Sequence, residues 1–528
     1  MNKRKLEVWQ PFLFAIVMVI GMAIGFKLKE KTSGIVFFQN TKKTSLEEVI
    51  NLVDTRYVDK VSADSLKTEV IDELLSKLDP HSVFIPADDL RSANEELIGN
   101  FEGIGVEFQM FDDTVNVLNV IKDGPSDRAG IKVGDKIIKV NDTLSLTGKD
   151  IEPSDVGKIL RGPNNSRVKV TVMREGKLQG FTITRGYIPL PSVDVAYMIN
   201  PGVGFIRINK FSNTTYEEFM QNLERLKGEG MKSLIVDVRG NSGGFLPEAV
   251  DIADEFLDDG KTIVYTKGNN VAEEVYKTKR AGLFEEGKLA ILVDETSASA
   301  SEILAGAVQD WDRGTIIGRR TFGKGLVQQQ FNLSDGSGLR LTVARYYTPL
   351  GRNIQKPYNK AREQYEDELI SRFHNGELLV GDTAKPAGKP YKTPGGRIVY
   401  GGGGITPDVF VPFDTTTQPQ EVMELYYRGI IQRFAYKFYV NNRGLFKEYE
   451  TPAELATKFE PGEAVWQAIM QQAKSDSVSI SNIPSNAKKD LMERVKALLA
   501  RQIWRAQGYF QVNNMKDPMV HKALEAVK

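Results

Sequence analysis

The sequence predicts a multidomain chain of mixed α/β and α+β class, and three observations carry that prediction. Its 528 residues suffice for three or four domains at roughly 100–200 residues each. Hydrophobic residues make up 41% and charged ones 26%, which sets aside disordered, collagen-like and coiled-coil readings. The hydrophobic pattern also changes period along the chain. It passes from helical spacing to short strands between glycine turns, then to alternating strands and helices, and back to helices.

Composition narrows the chemistry. Lys+Arg and Asp+Glu both number 69, so no net field draws the chain to nucleic acid, and nucleic acid is not expected as a partner. The absence of cysteine excludes disulfides, thiolate zinc sites, cysteine nucleophiles and lipid attachment at a cysteine. His81, His374 and His521 lie far apart, which leaves few candidates for a histidine-based metal site or triad. No metal and no cofactor is expected.

Residues 1–31 read as a cytoplasmic tip and a transmembrane signal anchor. Lys3, Arg4 and Lys5 precede the apolar run Val8 to Phe26, about 28 Å long as a helix against about 30 Å of hydrocarbon. The run exits into Gly25-Phe26-Lys27 without a small-residue cleavage pattern, so an uncleaved anchor is expected. Basic residues on both sides leave its orientation nearly tied, while the missing cysteines suit an oxidising compartment.

Residues 32–97 read as a helical segment, with Leu46, Val49, Ile50 and Val53, then Val70, Leu74, Leu75 and Leu78, at helical spacing; Asp79-Pro80 ends the second helix. Residues 98–187 read as short strands, among them 115–120 and 168–172. Residues 188–415 read as a layered α/β domain with strands at 202–208 and 233–238 and helices at 216–227 and 246–257. A polar insertion at about 356–397 interrupts it before a strand at 409–411. Residues 416–528 read as a helical C-terminal domain, broken by a Ser/Asn/Pro-rich stretch at 475–486.

Three segments carry chemistry. In residues 289–310 a buried strand runs into Thr296-Ser-Ala-Ser-Ala-Ser301 and then a helix. A serine there sits where unpaired N–H groups and the helix dipole stabilise a developing oxyanion, although these residues can equally be helix caps. Thr321-Phe-Gly-Lys-Gly-Leu-Val-Gln328 places one lysine between glycines. Burial that lowers its pKa from about 10.4 by some three units would make it a base for a serine; otherwise it is a solvated turn lysine. Asp237-Val-Arg-Gly-Asn-Ser-Gly-Gly244 links a strand to a helix but lacks the nucleotide-binding patterns, so its N–H groups suit an oxyanion hole better than a phosphate.

The order of these segments resembles the carboxyl-terminal processing proteases, serine peptidases with a Ser–Lys dyad and an embedded PDZ domain. Leu78-Asp-Pro-His-Ser82 is similar to the stretch ahead of the family's PDZ domain, and 124–141 to the PDZ core. The resemblance covers about 44–355 and 398–412. It implies a PDZ domain at 98–187 and a crotonase-like α/β protease core at 188–415. It further implies a catalytic domain on the periplasmic side of the inner membrane, held by a single-pass anchor.

Carried over by position, the nucleophile falls on Ser299, the base on Lys324, and the glutamine that orients the lysine on Gln328. Oxyanion donors fall on the N–H groups of Ala300 and Gly244, with Gly243 as the other option; Glu302, Asp310 and Thr321 fall at supporting positions. Gly103, Ile104, Gly105 and Val106 match the carboxylate-binding loop of a PDZ domain, with Ile104 and Val106 suggesting an apolar C-terminal residue on the ligand. His81, remote from the dyad in sequence, is read as structural. The implied function is a membrane-anchored serine endopeptidase acting on proteins with an accessible C-terminus, with a homodimer or adaptor as a further partner. The alternative is a non-catalytic PDZ scaffold that binds protein C-termini.

Overall fold

The computed structural model describes residues 14–22, 44–149, 151–358, 362–381, 388–415 and 419–528. The chain divides into two compact units at Ile71. In the first unit the helix Ser45–Arg56 opens on a capping box: Thr44 Oγ1 accepts from the Glu47 N–H, and Glu47 Oε2 accepts from the Thr44 N–H at 2.8 Å. Its apolar residues Leu46, Val49 and Leu52 are exposed.

The expected anchor is corrected by this structure. Among the described residues no helix is long and apolar enough to cross a membrane. Residues 1–13 and 23–43, where the rest of the expected anchor falls, lie outside the described residues. The membrane as a partner, the single-pass topology and the periplasmic side of an inner membrane, the last implied by resemblance, all presuppose that span and are withdrawn with it.

The second unit, from Asp72 onward, holds three layers of structure. The strand-rich part is an antiparallel sheet in the order Val106–Phe111, Thr114–Val120, Lys136–Val140, Arg167–Arg174, Lys177–Thr184, with Leu144–Ser145 beside the third strand. Val168, Val170 and Val172 alternate inward against Val115, Val117, Ile137 and Ile183, which fixes the register. Val106–Phe111 is an edge strand with one side unpaired within the sheet.

The central layer is a six-stranded sheet in the order Val193–Asn200, Val203–Ile208, Ser233–Asp237, Lys288–Val293, Thr315–Gly318, Val409–Phe410; the first pair is antiparallel and the rest parallel. Both faces are covered, so its inner strands are apolar throughout. Leu234, Val236, Leu289 and Ile291 pack on one face with Leu223 of the helix Thr215–Gly228 and Leu304 of the helix Ala300–Asp310. Ile235, Ala290 and Leu292 pack on the other against Met519, Val520 and Ala523 of the helix Pro518–Ala526. The crotonase-like core implied by resemblance is not evident. This mixed layer is closed on one face by a helix from the far end of the chain.

A separate antiparallel sheet pairs Gly338–Tyr347 with Leu326–Asn332, with Thr262–Lys267 and with Val83–Ile85; Glu274–Lys277 extends it beyond Thr262–Lys267. Val83–Ile85 departs from the all-helical expectation for 32–97. Once Asp79-Pro80 has ended the helix, the β-branched and aromatic Val83, Phe84 and Ile85 find partners in Arg340, Leu339 and Gly338. That pairing sets Asp79–Ser82 beside Gly338–Tyr347, the strand paired with the one that follows Lys324.

The C-terminal helices join the first two layers. The long helix Ser485–Asn513 leaves helical geometry at Trp504 and Arg505, where Arg505 has φ +62°. Before this kink Arg501 pairs with Glu107 at 2.9 Å; after it Gln507 Oε1 accepts from the Ala196 N–H at 3.1 Å. Truncating Ile235, fully buried between sheet and C-terminal helix, is expected to cost about 2–5 kcal/mol. Denaturant unfolding of Ile235→Ala, read as a lower midpoint at unchanged slope, checks this.

Candidate active site

The strand Lys288–Val293 delivers a tight turn to the helix Ala300–Asp310. Asp294 organises the turn: its Oδ1 accepts from the N–H groups of Thr296 and Ser297 and from Thr296 Oγ1, and its carboxylate also accepts from the Gly240 N–H at 3.1 Å. Ser297 Oγ donates to Val238 O at 2.8 Å and Ser301 Oγ to Asn241 O at 3.0 Å. These two serines therefore latch the turn onto the 237–244 loop. Ser299 stands between them at φ +53° and ψ −113°, a conformation costly for any residue with a Cβ, of order 1–3 kcal/mol. It lines a cavity of about 700 Å³ together with Lys324, Gly243, Gly244, Gln328 and Arg340.

Glu302 connects the serine to the lysine. Its carboxylate is fully buried. Oε2 accepts from the Ser299 N–H at 2.9 Å and the Lys324 N–H at 2.9 Å; Oε1 accepts from Thr321 Oγ1 at 2.5 Å and the Gly323 N–H at 2.7 Å. Thr321 Oγ1 in turn accepts from the Ile405 N–H at 2.7 Å. Burial pushes the Glu302 carboxyl above its ordinary value, and these donors pull it back.

Lys324 Nζ donates to Gln328 Oε1 at 3.0 Å, and Gln328 Nε2 donates to the carbonyl of His81. Burial lowers the Lys324 pKa from its ordinary value; the carboxylates of Glu302 and Asp79 oppose that shift, and Arg340 adds to it. Tyr346 Oη donates to Lys324 O at 2.6 Å and Ser299 O at 3.2 Å, so it holds the carbonyls of the same two residues whose N–H groups Glu302 holds.

The two loop glycines differ. The Gly243 N–H is taken up by Asn241 Oδ1 at 2.8 Å. A Cβ on Gly243 would lie 2.7 Å from Ser299 Cβ, and one on Gly244 would lie 1.9 Å from Phe211 O. Gly244 is fixed by its neighbours, since the Phe211 N–H donates to Gly243 O and the Phe245 N–H to Phe211 O. Among the described residues the N–H groups of Gly244 and Ala300 have no hydrogen-bond partner, and both residues lie beside Ser299.

Other expected residues lie elsewhere. Asp310 sits at the opposite end of the helix that Ser299 opens, where it pairs with buried Arg352 at 2.5 Å and accepts from the Leu350 N–H. Gly103, Ile104, Gly105 and Val106 lead into the edge strand of the strand-rich sheet. Ile104, Gly105, Val106, Phe108 and Leu160 line a groove there, although the Ile104 side chain faces the core and is 2% exposed. His81, read as structural, supplies the carbonyl that fixes Gln328. Tyr346 and Asn241 were not singled out in the sequence: Tyr346 stands in no recognisable local pattern, and within the 237–244 stretch only the glycines were read as contributors.

Comparison with known proteins places these features. The model of peptidase family S41 matches residues 202–360, a PDZ domain model matches 103–184, and a family of unknown function matches 422–505. The "Probable CtpA-like serine protease" of Staphylococcus haemolyticus (strain JCSC1435) is 34% identical over 397 residues, 73% of this chain and 79% of the relative. Its counterpart in Staphylococcus aureus (strain N315) is 36% identical over 343 residues, 64% of this chain and 68% of the relative. Among solved structures, the photosystem II D1 C-terminal processing protease is 27% identical, with a TM-score of 0.35 over 71% of this chain and 93% of its own. The chain belongs to the CtpA-like serine proteases of peptidase family S41. It is a serine-type endopeptidase, which sets aside the non-catalytic scaffold.

If Lys324 must be neutral to accept a proton, the rate rises with pH through its lowered pKa, and falls below it as the ammonium forms. The Glu302 carboxylate favours the ammonium, so Glu302→Gln is expected to move this rising limb to lower pH. The same substitution replaces an acceptor with a donor opposite backbone N–H groups, and kcat is expected to fall about 10-fold to 100-fold. A pH profile of kcat/KM for both proteins checks both effects.

Proposed function

We propose that Ser299 is the nucleophile and Lys324 the general base of peptide-bond hydrolysis, and that the PDZ domain selects protein substrates by their C-terminal ends. One observation carries the reading: a single buried carboxylate, Glu302, holds the backbone of both residues at the wall of one cavity. Gln328, anchored on His81 O, orients the lysine amine.

Neutral Lys324 takes the Oγ proton of Ser299 as Oγ bonds to the substrate carbonyl carbon. The oxyanion that forms is held by the N–H groups of Gly244 and Ala300, reinforced by the N-terminus of the helix Ala300–Asp310. The Lys324 ammonium then gives its proton to the departing amine nitrogen, and the C–N bond breaks. Water, deprotonated by Lys324, attacks the acyl ester; the ester C–O bond breaks and Ser299 regains its proton. Lysine suits this role because desolvation has already moved it toward the neutral form.

A substrate C-terminus would add as a strand to the free edge of Val106–Phe111, its carboxylate at the backbone of Gly103–Val106. Val106, Phe108 and Leu160 give the groove apolar walls, which suits an apolar terminal residue.

The test uses the full chain and an unfolded protein ending in a free apolar residue. Ser299→Ala and Lys324→Ala are each expected to lower kcat by about 10⁴-fold or more. Amidating the substrate's C-terminus is expected to raise KM. A Lys324→Ala protein that cleaves at the wild-type rate refutes the base assignment, and an amidated substrate cleaved as well as the free one refutes C-terminal selection.

A further inference from the structure

We propose that the polar insertion after the lysine strand is a clamp on the base loop, with buried Arg372 as a positioning residue for peptide hydrolysis. The inference rests on the reading of Lys324 as the base. Composition makes residues 356–397 look like a solvated surface insert, yet Arg372, on the helix Glu368–His374, is 2% exposed. A guanidinium is withdrawn from water only where acceptors meet its fixed fork. Here three do. Nη2 donates to Arg320 O at 2.6 Å, Nη1 to Thr321 O at 3.3 Å, and Nε to Glu377 Oε1 at 2.9 Å.

Glu377 completes the grip by accepting from Arg320 Nε at 2.7 Å and Nη2 at 2.9 Å. The next residues of the loop are held from the same side. The Lys356 N–H donates to Gly323 O at 2.9 Å. Lys356 Nζ lies 3.8 Å from the Phe322 ring centroid and donates to Glu368 Oε2 at 2.7 Å and Tyr365 O at 3.2 Å. Tyr365 Oη also meets His81 Nε2 at 2.7 Å, next to the carbonyl that fixes Gln328.

Residues 319–325 belong to no helix or strand; outside the insertion their backbone is tied by single bonds, from the Arg319 N–H to Val293 O, the Thr321 N–H to Ile405 O and the Phe322 N–H to Ser297 O. Glu302 holds the loop from the nucleophile's helix through Thr321 Oγ1 and the N–H groups of Gly323 and Lys324. The insertion holds it from the other side through the carbonyls of Arg320, Thr321 and Gly323. Glu302 takes the loop's donors and the insertion takes its acceptors, so without the insertion the carbonyls of Arg320, Thr321 and Gly323 lose these partners. Loss of the Arg372 contacts lets the loop shift and water reach Lys324. That alters both the reach to Ser299 and the balance among the groups facing the amine, which are Glu302, Asp79 and Arg340.

The test compares the full chain with Arg372→Ala, Arg372→Lys, Ser299→Ala and, as a control on the same helix, Ile370→Ser at a residue 56% exposed. Arg372→Ala is expected to lower kcat about 10-fold to 100-fold with KM within about twofold, since small misplacements of a base act on kcat. The rising limb of its kcat/KM profile is expected to move to higher pH as Lys324 regains water. Arg372→Lys, which keeps the charge without the fork, is expected to recover part of kcat, and Ile370→Ser all of it. Wild-type kcat and an unmoved limb in Arg372→Ala overturn the clamp, as does a kcat loss with the limb unmoved. If circular dichroism shows Arg372→Ala unfolded, the limb of Arg372→Lys decides by the same criterion. Cleavage by Ser299→Ala would overturn the dyad instead, so the two failures are distinguishable.

Discussion

A carboxylate removed from water must be fully hydrogen-bonded or it costs more than most single interactions contribute. Glu302 meets that demand with three backbone N–H groups and one hydroxyl, all within 2.9 Å. Those donors come from two segments, the turn at Ser299 and the loop at Thr321–Lys324. Neither segment alone can satisfy the carboxylate, so its burial forces them together. Hydrogen bonds to a charged group contribute about 1.5–3 kcal/mol each, which makes this cluster strong enough to hold Ser299 in its unfavourable backbone conformation.

The remaining parts of the site depend on that junction. Tyr346 links the carbonyls of the same two residues, and burial pushes its phenol well above the ordinary value, so it remains a donor. The 237–244 loop is latched by Ser297, Ser301 and Asp294. Asn241 takes the Gly243 N–H and donates to Ile208 O, while Gly244 lines the cavity with its N–H untaken among the described residues. Asp79, which accepts from Ser82 Oγ at 2.6 Å and Thr342 Oγ1 at 3.1 Å, fixes the turn that presents His81 O to Gln328. Four stretches distant in sequence thus meet because two sheets bring their strand ends to one cavity.

What could be read from the sequence was what is encoded locally. Ser299 and Lys324 stand in runs of small residues and glycine whose function is to let backbone approach closely, and that pattern survives without knowledge of the fold. Glu302 and Thr321, assigned beside them by the family resemblance, each stand three residues from Ser299 or Lys324. His81 could not, because its contribution is a backbone carbonyl, which no residue type advertises, brought across by the pairing of Val83–Ile85 with Gly338–Arg340. The choice between Gly243 and Gly244 depended on the Asn241 side chain. Arg372 and Lys356 were hidden by composition, because charge in a sequence suggests exposure while their acceptors lie elsewhere in the chain. The apolar N-terminal run misled for the converse reason: length, hydropathy, flanking basic residues and a missing cleavage pattern were taken for a membrane span, and no helix among the described residues bears that out.

The central claim is that burial, against the opposing pull of Glu302 and Asp79, makes Lys324 a base rather than a permanent cation. Competitive acetylation of the full chain across a pH series, with the reactivity of Lys324 Nζ read by mass spectrometry, measures this directly. The account predicts a titration midpoint below the roughly 10.4 of an ordinary lysine, lower than those of exposed lysines in the same chain. A Lys324 midpoint that coincides with theirs would contradict it.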